Sequence, residues 1–166
     1  DLAAVRHHVR DVIAAIAPHD SIERFRALGV NVIQGAGRFI GPGEIEVDGQ
    51  SVRARRFVIA TGSSPMVPPI PGLDEVPYLT NETLFEIYHA MAHLAIIGCG
   101  SIGVALAQAH QRLGSQVTVI EMARLLPNDD PETARVVHDR LAGEGVRILT
   151  GMKAEGIIAR DGGVAV

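Results

Sequence analysis

Hydrophobic residues recur every three or four positions at the start of the chain, and the period then changes. Residues 2–16 follow the helical spacing, and Pro18 lies just past them, where a helix commonly ends. A shorter amphipathic stretch covers residues 21–28, and Gly29 stands in the position of a C-terminal cap. The pattern therefore predicts two helices before the first strand.

Short apolar runs separated by tight turn signals follow these helices. Glycine, proline and aspartate interrupt them at 41–43 and 48–49, a spacing that is typical of an antiparallel β-meander. The last run is continuously apolar, and it predicts a strand buried on both faces. The predicted strands lie at 30–33, 38–40, 44–47, 51–53 and 56–60.

Proline dominates the next segment, because residues 63–77 contain five of the nine prolines in the chain. Proline fixes φ and lacks an N–H group, so this segment predicts a stiff extended connector. We expect a domain boundary within it or just after it. Thr80 or Asn81 can cap a short helix that ends near Ile87.

The remaining pattern alternates strands and helices in a βαβ order. Right-handed crossovers between parallel strands predict a Rossmann-like sheet with strand order 3-2-1. Residues 157–159 and 164–166 predict a small hairpin at the end of the chain. The alternating elements are strands at 94–97, 116–120 and 146–149 and helices at 101–113 and 131–142.

The first βα junction carries the glycine pattern of a dinucleotide-binding turn. Gly98 permits a tight turn off the strand, Gly100 lets a pyrophosphate approach the backbone, and Gly103 lets helix and strand pack closely. The helix that begins there offers free N–H groups to phosphates. Glu121 ends the second strand at about the expected separation of roughly 20 residues and can accept hydrogen bonds from ribose hydroxyls.

The carboxylate of Glu121 repels a 2′-phosphate, so the sequence favours NAD over NADP. Arg124 lies three residues further on and could weaken this preference. Two alternatives remain open from the residues alone. One is a glycine-rich turn that binds nothing, and the other is an S-adenosylmethionine-dependent methyltransferase domain, which also combines a glycine turn with an acid after the second strand.

Composition excludes several classes of protein. The net charge is −4 and no basic stripe with interleaved aromatic residues is present, so we expect no nucleic-acid partner. No apolar run is long enough to predict a membrane span. Cys99 is the single cysteine, which excludes an internal disulfide and fits a cytoplasmic location. The histidines have no plausible partner ligands, so we expect no metal site.

Three segments ahead of the glycine turn carry a family resemblance. They read FVIATGSSP at 57–65, PPIPG at 68–72 and YLTNE at 78–82. Together with the glycine turn they resemble the pyridine nucleotide-disulfide oxidoreductase family, nearest to its dihydrolipoyl dehydrogenase and mercuric reductase branch. The chain starts with Asp1 inside a helical pattern, so we expect an interior fragment of such a protein.

The resemblance implies an FAD-dependent flavoprotein, usually a homodimer, that passes hydride from NAD(P)H to FAD and on to a disulfide or related acceptor. Residues 1–88 would be part of the FAD-binding domain, including the β-meander. Residues 89–166 would be the first half of the NAD(P)-binding domain. The expected cofactors are FAD and NAD, with NADP less favoured, and the expected partner is the remainder of the flavoprotein.

The family's binding residues can be carried over to matching positions. Thr61 and Gly62 match the turn beside the flavin, and Ala36 and Gly37 match backbone near the FAD adenine. No catalytic residue is expected among the 166 residues. The positions that match the nicotinamide-dinucleotide site are Gly98, Gly100, Ser101, Ile102, Gly103 and Glu121.

The chain also departs from the family pattern. The FAD glycine fingerprint, the redox cysteine pair and the C-terminal dimerisation domain are not in this sequence. Ala105 stands two residues after the third glycine, where the family usually has a glutamate, and the small Ser101 follows Gly100. These differences leave a second hypothesis, in which the protein is a non-catalytic NAD-binding module or a redox sensor.

Overall fold

The computed structural model describes residues 2–166. It begins with α1 (Leu2–Ile16), a short 3-10 helix and α2 (Ile22–Ala27), as the hydrophobic periodicity predicts. The hydroxyl of Ser21 accepts a hydrogen bond from the amide of Arg24 and caps α2. Gly29 follows α2 with a φ of 84°, which confirms its predicted capping position.

The strand predicted at 30–33 is absent, and the cap of α2 explains why. The amide of Val30 donates to the carbonyl of Phe25, and that of Gly29 donates to the carbonyl of Arg26. This pair of hydrogen bonds is the Schellman arrangement that closes a helix. It uses the first N–H group that a strand would need, and the segment up to residue 36 forms no ladder.

The predicted meander is confirmed. β1 (Gly37–Gly41), β2 (Glu44–Val47) and β3 (Gln50–Arg53) form an antiparallel sheet in the order β1-β2-β3. Asp48 and Gly49 connect β2 to β3 with positive φ values of 48° and 81°, as a two-residue hairpin turn requires.

The apolar run at 56–60 is not a strand, contrary to the prediction. Val58 and Ile59 are 90% and 74% exposed. A strand needs a neighbouring strand to pair its backbone, and the residues that the structure describes provide none here. Phe57 does pack its ring edge-on against Phe39 of β1, with the centroids 5.1 Å apart.

The proline-rich connector continues into two short 3-10 helices, Leu73–Glu75 and Leu84–Glu86. The second is shorter than the helix predicted to end near Ile87. The connector is anchored where the amide of Ile157 donates to the carbonyl of Pro71 at 2.8 Å. Ile157 also packs in a small apolar cluster with Ile70, Leu73 and Val76.

The alternating elements that follow form the predicted parallel sheet. Its order is β4-β5-β6, with α3 and α4 as the crossovers, which confirms the 3-2-1 order. A two-stranded antiparallel hairpin ends the chain, also as predicted. The elements are β4 (His93–Ile97), α3 (Ser101–Arg112), β5 (Gln116–Glu121), α4 (Pro131–Gly143), β6 (Arg147–Thr150), β7 (Ile158–Arg160) and β8 (Gly163–Ala165).

The main hydrophobic core lies around the central strand β5. Val117 and Val119 are almost fully buried there, and Ala107 and Leu141 cover them from the two helices. The apolar run at 94–97 predicts a buried strand, but the residues of β4 alternate between exposed and half-buried. It is an edge strand of this sheet, so one side of its backbone has no neighbouring strand.

The chain divides into two compact units. One comprises Arg6–Ser64, and the other comprises Pro65–Val166 with the beginning of α1. The expected division into parts of an FAD-binding and an NAD(P)-binding domain near residue 88 stays a prediction, because compactness does not identify a bound nucleotide. Within residues 2–166, no helix combines the length and apolar character needed to cross a membrane.

Candidate functional site

The glycine turn lies at the carboxyl edge of the parallel sheet. Ile97 at the end of β4 is in register with Ile120 of β5, and the amide of Gly98 donates to the carbonyl of Ile120 at 2.9 Å. Gly98 then adopts a φ of 105°, a conformation that L side chains rarely tolerate. The chain can therefore leave β4 and enter α3 in a sharp turn.

The other two glycines of the turn have different steric surroundings. A Cβ atom at Gly103 would lie 2.3 Å from the carbonyl oxygen of Gly98, so a side chain there would collide with backbone. A Cβ atom at Gly100 would have no neighbouring heavy atom within 4 Å. Gly103 thus serves close helix–strand packing, and Gly100 leaves free space in front of the turn, as a pyrophosphate would need.

The N-terminus of α3 opens onto this space. Gly100 is the N-cap residue, so no side chain caps the first amides of the helix, and the first turn contains no acidic residue. Ser101 and Ile102 form the start of the helix and are exposed. Uncapped amides at the positive end of a helix dipole favour an anion such as a phosphate.

Glu121 faces the turn from the end of β5. One carboxylate oxygen accepts a hydrogen bond from the amide of Cys99 at 2.9 Å, and the other accepts from the amide of Ala123 at 2.8 Å. The carboxylate is therefore held beside the glycine turn from two sides. Each oxygen can accept a further hydrogen bond, so two hydroxyl groups could still be bound.

Sequence reasoning missed the groups that orient Glu121, since they are backbone amides that any residue could supply. It also missed the bracing of the loop after β5. The guanidinium of Arg124 donates from Nη2 to the carbonyls of Pro127 at 2.9 Å and Asp129 at 2.7 Å. An arginine three residues after the predicted ribose-binding acid was a visible signal, but it suggested a phosphate contact instead.

Cys99 is buried within the core next to the turn, with only 1% of its surface exposed. Burial raises the pKa of its thiol above the ordinary value, and the nearby charge of Glu121 acts in the same direction. The thiol is consequently protonated and shielded, which suits packing better than chemistry.

His110 differs from the sequence-based expectation. Its position in a helix suggested a solvated side chain, but it is buried on the inner face of α3. Burial lowers the pKa of its imidazole, because the charged form is poorly solvated there. Ala105, which replaces the glutamate usual in the resembling family, is exposed on the same helix.

The four positions predicted to border FAD are Ala36, Gly37, Thr61 and Gly62, and all are exposed. Gly62 has a φ of 69°, so the chain does turn there. Among the described residues, no hydrogen bond joins Thr61 or Gly62 to Ala36 or Gly37. Their role beside a flavin stays a prediction.

No group of three or more potential metal ligands comes together within residues 2–166. His93, one of two histidines spaced four apart, instead places its Nε2 atom 2.9 Å from the hydroxyl of Thr118. This contact joins β4 to β5.

Comparisons with known proteins agree on one family. The family model described as pyridine nucleotide-disulphide oxidoreductase matches residues 6–166. The chain is 36% identical over 165 residues to a mercuric reductase of Bacillus cereus, covering 99% of the chain and 26% of that protein. It is 39% identical over 145 residues to a dihydrolipoyl dehydrogenase of Thermus scotoductus, covering 82% of the chain and 30% of that protein.

Solved structures give the same result. The HOCl-induced flavoprotein disulfide reductase RclA of Escherichia coli superposes with a TM-score of 0.79 at 29% identity, covering 99% of the chain and 38% of that protein. LpdA of Mycobacterium tuberculosis superposes with a TM-score of 0.78 at 27% identity, covering 97% and 38%. The chain thus spans between about a quarter and two fifths of the length of these proteins.

Proposed function

Because the chain belongs to the pyridine nucleotide-disulphide oxidoreductase family, whose members are FAD-dependent flavoproteins that use a pyridine nucleotide, we propose that it carries the nicotinamide-dinucleotide site of an NAD(P)H oxidoreductase. In the whole protein, the nucleotide held by this site would supply hydride for the reduction of FAD, and the reduced flavin would then pass the electrons to a disulfide or related acceptor. Membership in this family sets aside the methyltransferase alternative.

One observation carries the proposal: the carboxylate of Glu121 is fixed beside an open glycine turn. Gly100 and the uncapped start of α3 leave room and positive polarity for the pyrophosphate. Glu121 is oriented by the amides of Cys99 and Ala123 and retains acceptor capacity for two ribose hydroxyls. These residues fit the adenosine half of a dinucleotide.

We further propose that the preferred nucleotide is NADH. A carboxylate attracts the 2′- and 3′-hydroxyls of the adenosine ribose and repels a phosphate group at the 2′ position. Arg124 could have offset this repulsion, but its Nη2 atom already donates to two carbonyls of its own loop. These contacts direct the Nη2 atom of Arg124 to its own loop, so we assign the choice between the two nucleotides to Glu121.

The remaining parts of the proposal concern the whole protein. Ala36, Gly37, Thr61 and Gly62 are proposed as one wall of the FAD site, since their exposed backbone would be accessible to a neighbouring group. We also propose a homodimer, on the basis of the family resemblance, and a cytoplasmic location, with which the single cysteine is consistent.

A second candidate function rests on Ala105. An exposed methyl group replaces the carboxylate usual near flavin and nicotinamide, which favours a nucleotide-binding module or redox sensor with slow hydride transfer. Stopped-flow measurement of flavin reduction by NADH separates the two candidates. Full reduction within the time of one turnover supports the oxidoreductase, and nucleotide binding without flavin reduction supports the sensor.

The proposal is tested by titrating NADH and NADPH into the full-length protein and into two variants at Glu121. Charge-assisted hydrogen bonds are worth roughly 1.5–3 kcal/mol. At about 1.4 kcal/mol per tenfold change, Glu121→Gln should weaken NADH binding by one to two powers of ten. Glu121→Arg should additionally shift the preference toward NADPH.

Glu132→Gln is the matched control, because it removes an exposed carboxylate on α4, outside the glycine turn. It should leave both affinities unchanged. If the two Glu121 variants also bind both nucleotides as the wild type does, Glu121 does not contact the ribose and the preference for NADH loses its support.

A further inference from the structure

The loop between β5 and α4 is fixed to the rest of the domain by buried side chains. Leu125 and Leu126 are 4% and 7% exposed and belong to the main core. The amide of Leu126 donates to the carbonyl of Cys99 at 2.9 Å, which ties the loop to the glycine turn. Leu126 has a φ of 50°, a conformation that a leucine adopts only when its surroundings impose it.

Arg124 closes the second half of this loop. Its Nη2 atom reaches forward to the carbonyls of Pro127 and Asp129. The amide of Asp129 in turn donates to the carbonyl of Leu126 at 3.1 Å. The arginine side chain and this backbone bond therefore hold the same tight turn, directly before the N-cap of α4 at Asp130.

The residue preceding Arg124, Ala123, is one of the two whose amides orient Glu121. The amide of Ala123 donates to Glu121 Oε1, and the carbonyl of Ala123 accepts from the amide of Gly151 at 3.0 Å. A rotation of the backbone at Ala123 would move the amide away from the carboxylate. Two sets of contacts restrict that rotation. The side chain of Arg124 is held by the carbonyls of Pro127 and Asp129, and the carbonyl of Ala123 is held by the amide of Gly151.

We propose that Arg124 is a positioning residue for the adenosine ribose, which acts by fixing the Ala123 amide and hence the Glu121 carboxylate. This inference rests on the proposed function, because it concerns the same nucleotide. In this role Arg124 supports the binding of NADH, whereas an arginine that binds the 2′-phosphate would support the binding of NADPH. An arginine that reads the phosphate affects NADPH alone, whereas an arginine that positions Glu121 affects NADH.

The test compares Arg124→Ala and Arg124→Lys in the full-length flavoprotein by titration with NADH and with NADPH. Loss of the two carbonyl contacts in Arg124→Ala should weaken NADH binding about three- to tenfold, in line with the typical worth of hydrogen bonds. Arg124→Lys should recover most of this affinity, because the ammonium group can still reach one of the carbonyls.

Steady-state kinetics add a measurement that a general loss of protein stability would not affect in the same way. In Arg124→Ala the KM for NADH should rise while kcat stays within about twofold of wild type. Arg135→Ala is the matched control, since Arg135 is an exposed arginine of α4 whose ion pair with Asp139 is long, at 3.9 Å. It should change neither affinity.

Three results would overturn the inference. Arg124→Ala could weaken NADPH binding alone, which would make the arginine a phosphate ligand. It could leave NADH affinity unchanged, which would make the loop contacts irrelevant to the ribose. Wild-type protein that binds neither nucleotide would overturn the proposed function itself, and with it this inference.

Discussion

Gly103 of α3 lies against the backbone of Gly98, close enough that a Cβ atom would stand 2.3 Å from the Gly98 carbonyl oxygen. The third glycine of the turn is therefore needed for packing, before any nucleotide binds. Gly100 is needed for a different reason, because its surroundings are open. The glycine pattern thus combines a structural requirement with a binding requirement, and substitutions can separate them.

The first prediction concerns this pair of glycines. Gly103→Ala should destabilise the protein by about 1–3 kcal/mol, because backbone cannot move aside for the methyl group and helix propensity recovers only part of the cost. Gly100→Ala should leave the unfolding free energy nearly unchanged and weaken NADH binding at least tenfold. Urea denaturation and nucleotide titration provide the two measurements. Equal stability loss in both variants would contradict the separation.

The second prediction concerns the anchor of the proline-rich connector. A Cβ atom at Gly72 would lie 2.0 Å from the carbonyl oxygen of Ile157, and Gly72 has a φ of 79°. Gly162 has nearly the same φ, 81°, but no atom within 4 Å, so it is a matched control for backbone strain alone. Gly162→Ala should cost about 1–2 kcal/mol, and Gly72→Ala should cost clearly more.

Urea denaturation of both variants measures this difference. Connector and hairpin should separate in Gly72→Ala, since the collision falls on the residue whose amide bonds to Pro71. Amide hydrogen exchange should therefore become faster at Ile157 in that variant and remain slow there in Gly162→Ala. Equal unfolding free energies would show that the connector is not anchored at this point.

The sequence predicted elements whose signals are local. The helices, the meander and the parallel sheet follow from hydrophobic period and turn residues, and the structure has them near the predicted bounds. The prediction of a strand at 30–33 was wrong because the amide of Val30 donates its hydrogen bond to the cap of α2. The prediction of a strand at 56–60 was wrong because a strand needs a neighbouring strand to pair with. An apolar sequence such as Val58-Ile59 does not determine whether one is present.

The candidate site was predictable only in part, for a similar reason. Four positions require a particular residue type, which makes them recognisable in the sequence: Gly98, Gly100, Gly103 and Glu121. The hydrogen bonds that orient Glu121 come from backbone amides, and these have no residue signature. The position of Arg124 in the sequence is compatible with two roles, phosphate binding and stabilisation of its own loop. Only its contacts with the carbonyls of Pro127 and Asp129 distinguish between them.

The third prediction concerns acid stability. Glu144 joins the ends of α3 and α4, because its carboxylate accepts hydrogen bonds from Arg112 and Arg140 and from Gln108. The hydrogen bonds from Arg112, with those from Arg140, lower the pKa of Glu144 from 4.5 to about 2. The group binds its proton less readily in the folded state, so its contribution to stability is present above pH 4.5 and is lost as the pH falls towards 2.

Denaturation of wild type and Glu144→Gln between pH 7 and pH 2 measures this contribution. The difference in unfolding free energy should be largest at neutral pH and should shrink steadily below pH 4.5. Glu155→Gln is the control, because Glu155 is exposed and has no side-chain hydrogen bond among the described residues. A difference for Glu144→Gln that stays constant across the range would mean that the ion pairs do not contribute.

The last prediction concerns Cys99, which reports on the integrity of the turn because it is the only cysteine in the sequence. It is buried between the glycine turn and Leu126, and burial raises the pKa of its thiol above 9.0. The thiolate is the nucleophile that attacks a thiol reagent, and Cys99 is buried, so labelling of the native chain requires opening of the domain. The labelling rate of the 166-residue chain should therefore follow the population of unfolded protein as urea is added.

The raised pKa also gives the direction of the pH dependence. A thiol that holds its proton more tightly in the folded state contributes stability below its ordinary pKa of 9.0, and this contribution is lost as the pH rises through the folded value. Wild type should thus lose stability above pH 9 relative to Cys99→Ala, when both are denatured with urea at several alkaline pH values. Two results together would contradict this prediction: rapid labelling of native protein at neutral pH, and pH profiles of stability that are parallel for wild type and Cys99→Ala. They would show that the thiol is accessible and that the glycine turn is not packed against the core.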